Sequence, residues 1–418
     1  MHVLLVAPGH VIHSKRLIHS LLKGGHRITT LSSTDPLVGT NGNYQFMPFP
    51  GIPGFHRLSP TITSRLQFPV RVRQMGEIWK RLRPDITNVQ GVDIRAACCA
   101  AAGIHPLVLT CWGADINDLF ESNSSDEGYQ NRLASLIGAS YYVTKDKHRA
   151  LNRYKRQIAK ALRHADLITA VTREILSRCE QLAGRTLPSQ LFRFGVDFNL
   201  FHEGYCEQGL IWRRKLGIAE KARVLLSVRT IQPLFGHDYI LDAFAQVVAD
   251  RQMPETVLVF QQKYSFPQEL NRLRAKMKEL SLEARVFWLP DVIPPDELPF
   301  QYAMADVVIN YPLQDGFPVS LLEAAACKRP IISSNLAAYE NSFDDSLFLV
   351  PPANTGALAA AIKRVLLEGE VEVGNRVEQA FVIAQQIGDQ RNNFQSLVGM
   401  FSSVIGGTNN HGGTASTF

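Results

Sequence analysis

At 418 residues, with 45% hydrophobic and 20% charged side chains, the chain exceeds one ordinary core and excludes a disordered or fibrous protein. The net charge of +6 hides a division. Residues 1–201 carry 25 Lys+Arg against 14 Asp+Glu, or +11, while residues 202–418 carry 19 against 24, or −5. No run of eighteen apolar residues occurs, and Met1–Ala7 lacks the charged start and length of a signal peptide. The six cysteines have no C-x-x-C spacing, which points away from zinc and towards a reducing cytosol.

In chain order, short apolar runs at Val3–Ala7, Arg27–Leu31, Ile86–Val89, Leu107–Thr110 and Leu167–Ala170 predict strands, with helical periods at Ser14–Lys23 and Ile158–Leu162 among them. A second set of strands follows at Val224–Val228, Val257–Phe260, Val286–Leu289, Val307–Asn310 and Ile331–Ser333. Helices Tyr239–Val248 and Pro267–Leu280 fall between them. Such alternation predicts α/β architecture with two doubly wound parallel sheets. The polar, aperiodic stretch 204–221 then separates a domain at 1–203 from one at 222–385. A helix at 386–405 is expected to pack back on the first domain, and the Gly/Ser/Thr/Asn-rich tail 406–418 to be disordered.

Chemistry concentrates in Asp315–Ser334, DGFPVSLLEAAACKRPIISS. A strand precedes it, a helix begins near Pro318, and a second carboxylate, Glu323, stands eight positions after Asp315. Pro suits a first helical turn because its missing N–H has no partner there. The open amides of that turn favour an anion. Two carboxylates that accept from hydroxyls, beside a phosphate-favouring helix start, suggest a sugar nucleotide; the bland alternative is a D-G turn before a solvated amphipathic helix.

The Asp315…Glu323 pair resembles the E-x7-E signature of the family-4 retaining glycosyltransferases of GT-B fold, with Asp in place of the first Glu. Leu82–Ile86, Ala165–Val171, Phe194-Gly195-Val196-Asp197 with Phe201, Gly236–Tyr239 and Asp291–Leu298 resemble further family segments in the right order. The resemblance implies two Rossmann-like domains facing across a cleft. The C-terminal domain is expected to bind a nucleotide-diphospho-sugar and the N-terminal domain a hydroxyl acceptor, a glycan, lipid-linked saccharide or small molecule. No His/Asp/Glu set has metal spacing and the basic half lacks an aromatic-interleaved RNA motif, so the transfer is expected to need no metal, no cofactor besides the donor substrate and no nucleic-acid partner.

Residue by residue, the resemblance assigns Glu323 to the ribose hydroxyls and Asp315 to the donor sugar. It places backbone amides of Gly316, Phe317, Pro318, Val319 and Ser320 against sugar and phosphates, and the base against backbone near Val292. Arg229, at the end of a strand, is expected to stabilise the leaving diphosphate. The family's usual Lys in that loop is Phe235 here, and Lys263 either supplies the missing cation or is a solvated loop residue. On the acceptor side, Asp115 either orients the acceptor hydroxyl or caps a helix. Trp112 either stacks on a sugar or belongs to the core, Gly9 lets a ligand approach the backbone, and His13 either points into the cleft or sits at the surface. Two rivals stay open: a nucleotide-sugar epimerase of the same fold, and a silent binder of nucleotide or glycan.

Two basic stretches of a protein expected to be cytoplasmic read either as docking on an anionic membrane face or as ordinary helices with apolar sides in the core and solvated charges. Residues 145–165 hold Lys145, Lys147, Arg149, Arg153, Lys155, Arg156, Lys160 and Arg163 against Asp146, with Leu151, Tyr154, Ile158 and Leu162 at helical spacing. The second holds Arg65, Arg71, Arg73, Lys80, Arg81 and Arg83 around Phe68 and Trp79.

Overall fold

The computed structural model describes residues 1–9, 11–37, 42–50, 60–120, 147–263, 265–339, 342–367 and 370–411. The chain divides into two compact units, Met1–Phe194 with Arg391–Phe418, and Gly195–Gln390.

The first unit is built on seven strands: β1 (His2–Val6), β2 (Arg27–Ser32), β3 (Tyr44–Pro48), β4 (Ile86–Gln90), β5 (Leu107–Cys111), β6 (Leu167–Ala170) and β7 (Ser189–Leu191). They pair in the order β3-β2-β1-β4-β5-β6-β7, all parallel. The second unit has β8 (Arg223–Ser227), β9 (Thr256–Phe260), β10 (Val286–Trp288), β11 (Val307–Asn310), β12 (Ile331–Ser334) and β13 (Phe348–Val350). Their order is β10-β9-β8-β11-β12-β13, again parallel.

Helices cover both faces of such sheets, so interior strands are buried along their whole length, as in β1, β4, β5 and β9. In the second unit Leu225, Leu258, Phe260, Ile309 and Ile332 meet Ile240, Phe244, Leu358 and Ile362 from the helices in one core. Each fully buried side chain of this size stabilises by roughly 1.5–3 kcal/mol. In each sheet the crossovers reverse direction once, between β1 and β4 and between β8 and β11. Ligands of open α/β sheets bind outside the carboxyl ends at such a reversal.

All ten predicted strands are present to within a residue or so. The three that were not predicted, β3, β7 and β13, are edge strands and only partly buried: β3 and β7 are broken by polar residues, and the apolar run of β13 is only three residues long.

The stretch 204–221 is not an unstructured linker. It contains a helix, Cys206–Lys215, that belongs to the second unit. Gly209 lets this helix lie on the backbone of Ala303, where a Cβ would come within 2.6 Å, and Trp212 is buried. Arg213 then ties it to the Met304 carbonyl and the Asp306 carboxylate, both at 2.7 Å. The C-terminal helix runs through Gln390–His411, beyond the expected boundary at 405; the rest of the expected disordered tail lies outside the described residues.

The helix of the first basic stretch is Lys147–His164, but its apolar stripe is core. Leu151, Tyr154, Ile158 and Leu162 are buried, leaving Arg149, Arg153, Arg156, Lys160 and Arg163 exposed. Lys145, Asp146 and the Lys147 side chain lie outside the described residues. In the second stretch, helix Pro60–Leu82, Arg73 pairs with Glu77 at 2.9 Å and Arg71 lies over the Phe49 ring. That surface is therefore not a uniform basic face, and the Arg65 side chain lies outside the described residues.

Candidate active site

In the second unit, Arg229 follows β8 and Asp315 follows β11, the two strands at the reversal. The loop between Arg229 and Gly236 lies flat on the segment after β11. Gly236 has φ of 63°, and a Cβ there would meet the Tyr311 carbonyl oxygen at 2.2 Å, so only glycine fits. The amide of Leu313 donates to the Leu234 carbonyl at 2.7 Å. This docking brings Arg229 Nη2 to 3.0 Å from Asp315 Oδ2, with both side chains largely shielded from solvent. Phe235 sits beneath the guanidinium, its ring centroid 3.9 Å from the Arg229 Cζ.

Buried groups support the pair. His237 Nε2 donates to the Arg229 carbonyl at 3.2 Å, and burial pushes its pKa down to about 4, so the ring is neutral at pH 7. The Tyr339 hydroxyl donates to Asp315 Oδ2 at 3.0 Å and is met by Asn310 Nδ2 at 3.3 Å. Burial, then the Asp315 charge, push the Tyr339 phenol well above its ordinary value and keep it a donor. Asp315 Oδ1 accepts from the Gly316 amide at 2.8 Å. Both carboxylate oxygens of Asp315 therefore already have protein partners.

The helix after Asp315 is Val319–Ala326, with Pro318 just before its first turn rather than inside it. No side chain caps it, so the Val319 and Ser320 amides have no intrahelical acceptor. Gly316, Phe317 and Pro318 are buried, and the Phe317 ring packs on Tyr339 and Phe343. Glu323 projects one helical turn on, half-buried, its Oε2 accepting from the hydroxyl of the fully buried Tyr302 at 2.7 Å. Lys263 lies after β9, its amide bonded to Gln261 Oε1 at 3.0 Å, and Val292 is 76% exposed.

In the first unit the carboxyl ends of β1, β4 and β5 carry a different set of residues. Trp112 Nε1 donates to Gln90 Oε1 at 3.0 Å, and Gln90 is held by Asn88. Asn88 Nδ2 in turn donates to the Val108 carbonyl and to Thr110 Oγ1 at 3.0 Å. His13 stacks on Phe194 at 4.6 Å and meets the Trp112 ring edge-on at 5.9 Å. Together they form an aromatic group over buried neutral amides.

Two acceptor-side expectations change. Asp115 is buried and its carboxylate accepts from three amides: Val92 at 2.7 Å, Gly113 at 2.7 Å and Trp112 at 3.0 Å. Desolvation raises its pKa, opposed by these amides. Its oxygens shape the loops after β4 and β5 instead of meeting an acceptor hydroxyl. Gly9 does admit a close approach, but by the protein itself: a Cβ there would lie 2.0 Å from the Thr34 carbonyl oxygen.

Sequence reasoning missed Tyr302, Tyr339 and Gln90, and it did not foresee the contact Phe235 makes. Only Gln90 left a local trace: it shares a short strand with Thr87 and Asn88, set between Ile86 and Val89, which marks buried polar groups in need of partners.

Comparison with known proteins bears on the family and the fold. The family model described as Glycosyl transferase 4-like matches residues 2–172, and that described as Glycosyl transferases group 1 matches residues 210–380. A D-inositol 3-phosphate glycosyltransferase from Geodermatophilus obscurus is 31% identical over 186 residues, 42% of this chain and 40% of that protein. The match thus spans less than half the relative's length. The structure of Anabaena Alr3699/HepE in complex with UDP superposes with a TM-score of 0.72 at 18% identity, covering 96% of this chain and 100% of that one. Sucrose-phosphate synthase from Thermosynechococcus elongatus gives a TM-score of 0.74 at 14% identity, with 97% and 100% covered. With both halves matched by family models and both sheets in place, the chain belongs to the group 1, family-4 glycosyltransferases of GT-B fold, a nucleotide-sugar-dependent family.

Proposed function

We propose that the protein transfers a sugar from a nucleotide-diphospho-sugar, held by the second unit, to a hydroxyl acceptor held by the first, with retention of configuration. The observation that carries this reading is the Arg229–Asp315 pair at the sheet reversal, next to an uncapped helix start. As the glycosidic bond breaks, negative charge grows on the departing diphosphate. A fixed guanidinium and oriented amides stabilise that charge most where water is excluded. Glu323, oriented by Tyr302, suits ribose hydroxyls, and Trp112 with His13 suits the apolar face of an acceptor sugar or aglycone. The HepE complex makes UDP-sugars the first donors to try.

A panel of nucleotide sugars, tested for thermal stabilisation and slow donor hydrolysis, checks the reading. A true donor raises the melting temperature in a concentration-dependent way. If none does and no sugar is released, the reading fails. Epimerised sugar formed without any acceptor would favour the epimerase instead.

A lipid-linked acceptor on an anionic surface is the form of this reading favoured by one further observation. Five basic side chains are exposed on helix Lys147–His164, and the sequence of that helix contains no acid. Its apolar stripe is buried, so attraction would come from charge alone, about 1 kcal/mol per residue near the leaflet. No helix among the described residues is long and apolar enough to cross a membrane. Sedimentation with phosphatidylserine vesicles should show binding at low salt that weakens at physiological salt. Protein that stays in the supernatant throughout would make a water-soluble acceptor the better choice.

A further inference from the structure

We propose that Phe235 is a positioning residue for the donor diphosphate, acting through Arg229, whose guanidinium it holds in place by stacking. The proposal rests on the donor reading above.

Three features of the loop carry it. The Phe235 ring lies 3.9 Å from Arg229 Cζ, the shortest cation–ring contact among the described residues. Asp315 holds the same guanidinium from another side through Nη2 at 3.0 Å. The platform is itself fixed. The Phe235 amide donates to the Gln232 carbonyl at 3.1 Å, and Gly236 behind it is wedged against Tyr311. A ring beneath and a carboxylate at one end restrict a planar guanidinium in both directions. Its remaining N–H groups carry no hydrogen bond to another described residue. A lysine at 235 would add charge, but it would be a like charge set against Arg229. A phenylalanine adds no charge and removes rotamer freedom, so less is lost when the guanidinium engages phosphate.

The consequence is a diphosphate site with one guanidinium, partly offset by Asp315. Its grip on a ground-state diphosphate should be modest, and should strengthen as charge develops on the leaving group.

Inorganic pyrophosphate, which needs neither base nor sugar, is the calorimetric probe. Phe235→Leu should weaken its binding roughly tenfold. Phe235→Tyr, which keeps the ring, should stay within about twofold of the natural protein. In an Arg229→Ala background, Phe235→Leu should have no further effect, because nothing remains to be positioned. Thermal melts of each variant establish that it is folded, and Phe235→Met serves if the leucine variant is not. An unchanged affinity in the leucine variant, or an equal loss with and without Arg229, overturns the stacking role and leaves the donor reading standing. If the natural protein binds neither pyrophosphate nor UDP, the donor reading fails and takes this inference with it.

Discussion

Asp115 and Asp315 both lie close to a sheet reversal, Asp115 after β5, one strand beyond it, and Asp315 after β11, directly at it. Their surroundings differ in kind. Asp115 is buried and accepts from three backbone amides, whereas Asp315 faces an arginine and a tyrosine hydroxyl. The first carboxylate holds chain to chain; the second holds a guanidinium that also rests on the Phe235 ring. Place in the fold marks where a site can be, but the partners of each acid decide whether it serves stability or chemistry.

The largest effect should come from breaking the first acid. Asp115→Ala leaves three amide donors of closely packed loops without their acceptor. At about 1–3 kcal/mol for each buried unmet donor, it should cost at least about 3 kcal/mol of stability. Denaturant unfolding measures this, and a loss below about 1 kcal/mol would contradict a structural role. Asp315→Ala should cost less, because only one backbone amide, that of Gly316, loses its acceptor, the other partners being the side chains of Arg229 and Tyr339.

Arg229→Ala should lower turnover by about 2.7–4 kcal/mol in barrier, a hundredfold or more, with little change in melting temperature. Arg229→Lys should recover only part of this, because an ammonium lacks the planar fork that both stacks on Phe235 and pairs with Asp315. Near-normal turnover in Arg229→Ala would shift the diphosphate to Lys263.

His237 sharpens the contrast through pH. Its folded pKa is depressed from 6.5 to about 4 by burial, so its contribution to stability is fully present above pH 6.5. That contribution should be lost as pH falls from there through about 4, on the order of 3 kcal/mol in total. Unfolding measured from pH 7.5 to 4 should show a shallower decline in His237→Gln than in the natural protein. Parallel curves would place the acid sensitivity elsewhere.

The smallest effect should be on the acceptor side. Trp112→Phe keeps a ring but loses the bond to Gln90, worth about 1 kcal/mol. It should raise the acceptor KM several-fold while leaving donor hydrolysis unchanged; an equal fall in donor hydrolysis would break the division of labour between the units.

Much of this was legible before any coordinates. Interior strands announced themselves because parallel strands covered on both faces are mostly apolar, as β5 and β9 are, each with a single Thr. Arg229, Asp315 and Glu323 could be singled out because their spacing relative to those strands is local. What the chain did not disclose depends on pairings across 21 to 24 positions: Tyr302 with Glu323, Gln90 with Trp112, Tyr339 with Asp315. A tyrosine in a helix carries no sign of the carboxylate it will face. Asp115 kept two readings open for the related reason that a backbone-holding acid and a substrate-facing acid look alike until the amides around them are placed. Gly209 misled, since a glycine chosen for close helix packing looks like a linker glycine until Ala303 is set against it.

Val196 and Asp389 form an isolated parallel bridge; the Val196 amide donates to the Gly388 carbonyl at 2.8 Å, and the Gln390 amide donates to the Val196 carbonyl at 3.0 Å. Gly195, at φ 74°, passes so close that a Cβ would lie 2.6 Å from the Gly388 carbonyl. The second unit therefore begins and ends at one doorway. In genetic terms residues 195–390 are a cassette set into a host: one contiguous piece of coding sequence could be lifted out whole, and Phe194 joined to Arg391 by a short spacer. Each half could then be replaced by its counterpart from a relative without inventing a new crossing point, and such exchanges would test whether donor and acceptor preference travel with separate units.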